Sequence, residues 1–326
     1  MRTPRPAAAL IPLLLGIVLL TSACEAPLKP ESQQAGTPAP ALKPASPSKS
    51  TGTPKTLRTP SRKASRPSPA APSLTVPSLS IPPRTSGLVE GADASWPQCP
   101  KGMGIPQKPT QGSPMPLATA RFVILGLTNG PAFTPNPCLA DQVDWVRSRG
   151  LLAAAYAVNS YPDSQTIARY GDQGPYDGGS RAGALSNVGY QQAQFNLATM
   201  KAAGLQTPVI WLDVEPVPNF AWSSETTANS AVVRGAARGY TDKGFRIGVY
   251  STQTLWTQVV GDLRLGLPEW RAAGQTSRAE ALRRCGPDRM FQGGEPVLSQ
   301  WVEFGRDRNI TCPGTSTQMT RWFHQY

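Results

Sequence analysis

The stretch that decides the fold is PVIWLDVEP, at residues 208–216. Its apolar run ends in an Asp-x-Glu pair, which is typical of a buried strand that stops at a polar edge. Helical patterns flank it, over residues 188–203 before Gly204 and over residues 225–242 after it. Since a buried strand between two helices is the repeating unit of a parallel α/β sheet, the stretch predicts that class of fold.

The same alternation continues along the chain. Strands are predicted at Phe122–Thr128, Leu151–Tyr156, Phe245–Tyr250, Glu269–Ala273 and Val297–Val302, and helices near Leu139–Arg149 and Gln253–Val260. A polar, Gly-rich excursion over residues 159–186 is too long for a mere connector. The predicted fold is α/β: a single (β/α)8-type, TIM-like barrel over residues 85–326, preceded by a signal peptide and a disordered Pro-rich linker.

The first 23 residues have the form of an export signal. Arg2 and Arg5 precede an apolar stretch, residues 7–20, that is short for a membrane span. Thr-Ser-Ala-Cys at residues 21–24 predicts a lipoprotein-type signal peptide over 1–23 with Cys24 as the lipidated residue. The alternative is an ordinary signal-peptidase site. We therefore expect a lipoprotein on the outer face of the bacterial cytoplasmic membrane, or alternatively a fully secreted protein.

Residues 24–84 have the composition of a linker. They hold 14 of the chain's 35 prolines and few aromatic residues, so they are predicted to be disordered. Of the net charge of +12, the signal contributes +2 and the linker +7, which leaves +3 for residues 85–326. The charge thus argues against a nucleic-acid-binding domain. A basic linker suits anionic lipids or acidic wall polymers, or it is simply solvated.

The cysteine count favours disulfides in an oxidising compartment. Without Cys24, an even set remains: Cys99, Cys138, Cys285 and Cys312. Three pairings are possible, and the local one, Cys99–Cys138 with Cys285–Cys312, is preferred because each pair is close in sequence.

Asp213 and Glu215 suggest carboxylate chemistry. Side chains alternate along a strand, so the two point to the same side, and their repulsion raises one pKa. Such a pair suits acid-assisted hydrolysis, for example of a glycosidic bond. The alternative is an ordinary strand end in solvent. The one histidine, His324, lies near the C-terminus, which argues against Ser-His, Cys-His and zinc hydrolases. No CxxC pair or phosphate loop occurs, and no metal or cofactor is expected.

Several short motifs occur in a fixed order. They are GADASWPQ at 91–98, the strand from Phe122 with Phe133 after it, Tyr156, the Asp-x-Glu pair, Gln300-Trp301 and Asp307-Arg308-Asn309. Together they resemble the glycoside hydrolase family 25 lysozymes and the looser group of actinobacterial secreted glycoside-hydrolase-like proteins. The similarity covers residues 88–312. Where the family usually has a Lys and a Thr-Glu-Gly on the second strand, this chain has Gly126 and Thr128-Asn129-Gly130.

The resemblance implies a role for each matching residue. Glu215 is expected to be the general acid, and Asp213 its charged neighbour that tunes the pKa or positions the substrate amide. Asp93 and Asp307 are expected to flank the sugar and stabilise developing positive charge. Expected substrate-binding residues are Gln98, Tyr156, Tyr250 and Trp301; for the three aromatic residues, and for Tyr250 above all, ordinary barrel packing is the alternative.

Three hypotheses for function follow. The first is a glycosidase that acts on peptidoglycan glycan strands, resembling a muramidase. The second is a non-catalytic envelope protein that keeps the barrel and binds glycan, and the departures at Gly126 and Asn129 favour it. The third is a hydrolase of another envelope glycan. The expected partners are cell-wall polysaccharide and the membrane, through a lipid anchor at Cys24, with no nucleic acid and a monomeric state.

Overall fold

A computed structural model describes residues 87–326. The predicted signal peptide (1–23), the predicted linker (24–84) and the lipidation site Cys24 lie outside the described residues. Within residues 87–326, none of the helices combines the length and the apolar character needed to span a bilayer.

The strands confirm the predicted α/β class. In chain order they are β1 (Glu90–Ala94), β2 (Gly104–Ile105), β3 (Lys108–Pro109), β4 (Phe122–Gly126), β5 (Leu152–Val158), β6 (Val209–Asp213), β7 (Arg246–Ser251), β8 (Glu269–Gln275), β9 (Pro296–Glu303), β10 (Arg306–Thr311) and β11 (His324–Gln325). Eight of them form a barrel in the order β5-β4-β1-β10-β9-β8-β7-β6, which closes because β5 also pairs with β6. β2 and β3 form a separate hairpin, and β11 adds to β5.

Residues 87–326 contain seven α-helices, of which the first, third, fourth and fifth lie where helices were predicted. They are α1 (Leu139–Ser148), α2 (Ser164–Tyr170), α3 (Arg181–Ala202), α4 (Thr226–Thr241), α5 (Gln253–Val260), α6 (Arg278–Arg283) and α7 (Met319–Trp322). α3 begins seven residues before the predicted start, because Ser180 caps it by accepting a hydrogen bond from the Gly183 N–H. The final part of the Gly-rich excursion is therefore helical.

One barrel strand departs from the predicted (β/α)8 pattern. β10 runs antiparallel to both of its neighbours, β1 and β9, while the other seven strands are parallel. Only Phe304 and Gly305 connect β9 to β10, and both have left-handed backbone angles (φ 51° and 67°). Such a two-residue turn makes an antiparallel hairpin, because a parallel crossover needs a dozen or more residues.

The barrel interior is rich in aromatic residues. On β6, Val209 and Trp211 face inward and pack with Phe122 and Trp270. Ile210 and Leu212 face outward into the cluster beneath α1, α3 and α4. Near the C-terminus, Trp322 and Phe323 join the inner cluster. The alternation along β6 also places the side chain of Asp213 inside the barrel.

Two glycines allow α3 and α4 to pack backbone against backbone. A Cβ atom at Gly189 would lie 2.0 Å from the Val232 carbonyl oxygen, and one at Gly235 would lie 1.9 Å from the Ser186 carbonyl oxygen. Since no real Cβ approaches so closely, this helix pair requires glycine at both positions.

Both disulfides have the local pairing that the sequence favoured. Cys99 pairs with Cys138 and Cys285 with Cys312, at separations of 39 and 27 residues. Closing loops of this length stabilises a fold by about 2–4 kcal/mol each. The first bond joins the segment after β1 to the start of α1, next to the barrel end described below.

The excursion over residues 159–186 is attached to α3. The Asn187 side chain donates hydrogen bonds to the carbonyls of Gly171 and Tyr176 and accepts one from the Tyr176 N–H. The Tyr170 ring stacks on Phe133 with centroids 4.7 Å apart. These contacts hold the segment against the side of the barrel formed by α3.

Candidate active site

Four acids gather at one end of the barrel. Asp93 lies near the end of β1, Asp213 ends β6, and Glu215 follows two residues later. Asp307 lies near the start of β10, but because β10 runs antiparallel, its start lies at the same end as the other strands' carboxyl ends. The structure thus brings together all four acids that the sequence singled out. The charge of Asp307 raises the pKa of Asp93 and of Glu215, and the charges of Glu215 and Asp93 raise that of Asp213, so the four carboxyl groups lie close together.

Amide side chains from β9 and β10 hold Asp93 in place. Asn309 Nδ2 donates to Asp93 Oδ1 at 2.7 Å, and Gln300 Nε2 donates to the same oxygen at 3.0 Å. Behind them, the Tyr250 hydroxyl donates to Gln300 Oε1 and the Trp270 Nε1 donates to Asn309 Oδ1, both at 2.7 Å. Since every member is fixed by a partner, the orientation of Asp93 is set before any ligand arrives.

Burial dominates the electrostatics of Asp93 and Asp213. It raises the pKa of both carboxyls well above their usual range, and the charge of Asp307 on Asp93 and of Glu215 on Asp213 adds to the effect. The hydrogen bonds from Gln300 and Asn309 act in the opposite direction and lower the Asp93 pKa. Asp213 lacks comparable support, because its buried Oδ1 has no hydrogen-bond partner within residues 87–326.

Glu215 has the properties of a proton donor near neutral pH. Its side chain is partly exposed. Burial, followed by the charge of Asp307, raises its pKa to about 7, while the positive charge of Lys108 lowers it. Trp222 Nε1 donates to the Glu215 carbonyl at 2.9 Å and fixes the backbone just beyond β6. A carboxylic acid with this pKa is suited to general acid catalysis.

Tyr156 lies beside the acids on β5. Burial, and then the charge of Asp93, raises the pKa of its hydroxyl well above the usual range. A Cβ at Gly126 would lie 2.5 Å from Ser95 Cβ and 2.8 Å from the Tyr156 ring. Gly126 therefore leaves room for Tyr156 and Ser95, which explains the absence of a side chain at that position.

Trp301 was wrongly predicted to contact sugar. Gln300 points inward to Asp93, so its neighbour Trp301 must point outward. Trp301 is fully buried against Ala281 and Ile310 and is covered by the Arg308 guanidinium. It belongs to the packing between the barrel and α6.

Tyr250 and Gln98 have structural contacts. The Tyr250 ring packs on Trp270, with centroids 4.5 Å apart, and its hydroxyl supports Gln300. This agrees with the packing alternative. Gln98 Oε1 accepts a hydrogen bond from the Ser95 N–H at 2.8 Å and so stabilises the short helix after β1.

The sequence interpretation missed Lys108, and it noted Asn129 only as a departure from the family pattern. The fully buried Asn129 follows β4, and its side chain binds the β2–β3 hairpin that carries Lys108. Strands of two residues have no recognisable periodicity, so the sequence contains little signal for this hairpin.

Two comparisons by sequence find similar proteins. A family model described as lysozyme-like protein 1 matches residues 182–280, which include Asp213 and Glu215. The probable family 25 lysozyme 3 of Dictyostelium discoideum is 35% identical to this chain over 74 residues, or 22% of this chain. This chain resembles the family 25 lysozymes. The matched region spans only 15% of that relative's length.

Two solved structures of lysozymes are similar to parts of this chain. A lysozyme from Streptomyces coelicolor is 17% identical, with 73% of this chain and 98% of that chain covered and a TM-score of 0.46. A family 25 lysozyme from Aspergillus fumigatus is 16% identical, with 72% and 99% covered and a TM-score of 0.45.

Proposed function

We propose that residues 85–326 form a cell-envelope glycoside hydrolase that cleaves the glycan strands of peptidoglycan, with Glu215 as the general acid. The observation that carries this proposal is Glu215 itself, a carboxyl with a pKa of about 7 among three further acids. The resemblance to lysozymes supports a sugar polymer as substrate.

In this proposal, Glu215 gives its proton to the glycosidic oxygen as the bond from that oxygen to C1 breaks. The sugar ring then carries positive charge, which the nearby carboxyl groups of Asp93 and Asp307 stabilise to the extent that they are ionised. Water adds its oxygen to C1, and its proton returns to Glu215. The two hydrogen bonds to Asp93 favour its ionised form and keep it in position.

Asp213 takes a different role. Its unpartnered oxygen is buried next to Glu215, and an unsatisfied acceptor in such a place is costly. An amide N–H of the substrate, as on an N-acetylated sugar, would satisfy it. Tyr156 adds an aromatic face beside the same acids.

We also propose that the chain is exported and held by a lipid on Cys24, with residues 24–84 as a flexible linker. Two disulfides suit an oxidising compartment outside the cytoplasm. Sixty residues would average about 45 Å as a coil and reach roughly 190 Å when extended, enough to let a domain reach wall polymers. Metabolic labelling with a fatty-acid analogue tests this: wild type should be labelled, whereas Cys24→Ala should not.

The central test uses the mature chain on purified cell wall, followed by mass spectrometry of the soluble products. Muropeptides with a new reducing end at N-acetylmuramic acid are expected. Wall binding without products would overturn the hydrolase and favour the glycan-binding hypothesis. Release of products from another envelope glycan alone would replace the substrate.

A further inference from the structure

The β2–β3 hairpin is fixed to the end of the barrel that holds the four acids. Asn129 Oδ1 accepts a hydrogen bond from the Ile105 N–H at 3.0 Å, and its Nδ2 donates to the Lys108 carbonyl at 3.1 Å. A Cβ at Gly104 would lie 2.5 Å from Asn129 Oδ1, so the hairpin backbone packs directly on this amide. Asn129 therefore fixes the position of the hairpin relative to the carboxyl end of β4.

The base of the hairpin is fixed as well. The Thr110 hydroxyl accepts a hydrogen bond from the Met103 N–H at 2.8 Å and donates to the Pro100 carbonyl. The Gly112 N–H donates to the Cys99 carbonyl at 2.9 Å, next to the disulfide to Cys138. These hydrogen bonds hold the hairpin in a fixed position at the edge of the acid cluster.

Lys108 points its charge into this region without a protein partner. Its Nζ lies 5.6 Å from the centre of the Trp96 ring, and its charge reaches Glu215. None of the ion pairs formed among residues 87–326 includes Lys108. The Lys108 ammonium group thus lies beside an aromatic ring and near an acid, and it forms no ion pair within residues 87–326. It can therefore pair with a negatively charged group of a ligand.

The depression between Trp96 and the hairpin is basic. Its lining residues include Trp96, Lys101, Gln107, Lys108 and Thr110, and no carboxylate is among them. It therefore offers a ring face, two cations and the side-chain amides of Gln107 and Gln111, next to the acid cluster.

We propose that this depression is a subsite for a carboxylate-bearing substituent of the glycan, with the pyranose against Trp96 and the carboxylate at Lys108 and Lys101. The inference rests on the proposed function, because it places the substituent next to the sugar that Glu215 would act on. The carboxylate would come either from a peptide stem or from a uronic acid.

The test measures ligand binding by calorimetry to the mature chain with Glu215→Gln, so that cleavage plays no part. The probes are a neutral N-acetylglucosamine oligomer, a muropeptide with free peptide carboxylates, the same muropeptide amidated, and a uronic-acid oligomer. We expect the free carboxylates to tighten binding, and Lys108→Met to remove about tenfold of that preference, measured as the ratio of the affinities for the carboxylate-bearing and neutral probes. Lys108→Arg should retain part of it.

Lys243→Met is the matched control, because Lys243 is exposed beyond the C-terminal end of α4. The preference should also decline with added salt in wild type but not in the Lys101→Met/Lys108→Met double variant. An unchanged carboxylate preference in the double variant would overturn the subsite. Tightening by the muropeptide alone identifies a peptide stem, and by the uronic oligomer alone a uronic acid. Charge-dependent binding without any cleavage by wild type would keep the subsite and remove the hydrolase.

Discussion

Asn309 on β10 donates a 2.7 Å hydrogen bond to Asp93 on β1, so the one antiparallel barrel strand supports an acid of the first strand. The Asn309 oxygen is in turn occupied by the Trp270 indole. The amide thus uses both of its ends to connect the barrel core to the acid cluster.

Asn309→Leu should destabilise the protein by about 1–3 kcal/mol, because it leaves the buried Trp270 N–H without an acceptor. It should also raise the Asp93 pKa further, since a bond that lowers it is lost. Urea denaturation measures the first effect. Ser148→Ala, at an exposed hydrogen bond on α1, should change stability by less than about 0.5 kcal/mol. Equal effects of the two substitutions would contradict the role of Asn309.

Glu215→Gln should lower the rate of glycan cleavage by about 10²–10⁴-fold, because glutamine cannot protonate the leaving oxygen. Reducing ends released from purified wall measure the rate. Glu225→Gln is the matched control, since Glu225 is an exposed carboxylate paired with Arg181. If Glu215→Gln kept full activity, Glu215 could not be the acid.

Lys108→Met should move the alkaline limb of the kcat/KM profile to higher pH. Lys108 lowers the Glu215 pKa, so without it the acid keeps its proton to higher pH. The other charge that acts on Glu215 is that of Asp307 on β10, and the substitution leaves it in place. Lys243→Met should leave the profile unchanged. A shift to lower pH would be inconsistent with the geometry.

The acid cluster should make stability fall as pH rises. The pKa of Glu215 is raised from 4.5 to about 7 on folding, and those of Asp93 and Asp213 are also raised. The folded state therefore binds more protons, and the stabilisation, complete below the unfolded values, is lost as pH rises through the folded ones. His324 acts in the opposite direction because its pKa is lowered.

Asp213→Asn isolates this contribution. Relative to wild type, the variant should become progressively more stable as the pH rises from about 5 to about 8, because only wild type loses the stabilisation that the raised Asp213 pKa gives at low pH. Urea midpoints at four pH values across that range measure it. A difference between the two proteins that stays constant with pH would show that Asp213 titrates normally.

Phe304→Asn should stabilise the protein by about 1 kcal/mol, because asparagine tolerates the left-handed backbone that phenylalanine resists. Phe304 is 89% exposed and loses little packing. Phe133→Asn is the contrast: its φ is also positive, at 64°, but its ring stacks on Tyr170, so the change should destabilise. Thermal unfolding separates the two. A lower Tm for Phe304→Asn would indicate a packing role for the ring.

The sequence predicted those elements whose apolar pattern is strong. The strand at Val209–Asp213 and helix α5 were found where they were expected, because buried runs and amphipathic spacing are local signals. β10, with the sequence RDRNIT, was missed. Its outward residue Arg308 is neutralised by Glu90 and Glu303 from other strands, so the strand has few apolar residues to reveal it.

The site was predictable in part. The four acids were located through their similarity to a known order of motifs, whereas Lys108 depends on the contact between its hairpin and Asn129, which no local pattern encodes. Trp301 was wrongly assigned to the site because side chains alternate along β9, and it is Gln300 whose side chain points into the barrel. Contacts between residues far apart in sequence, and the alternation of side chains along a strand, account for most of the features of the site that the sequence did not predict.

The two-residue link between β9 and β10 determines whether the acidic or the basic side chains of β10 point into the barrel. Asp307 and Asn309 face inward, while Arg306 and Arg308 face outward. One extra residue in that link, if it shifted the pairing along β10, would exchange the two sets and turn guanidinium groups toward Asp93. Insertions there are therefore expected to be far less tolerable than at an ordinary surface loop, although neither Phe304 nor Gly305 carries any charge.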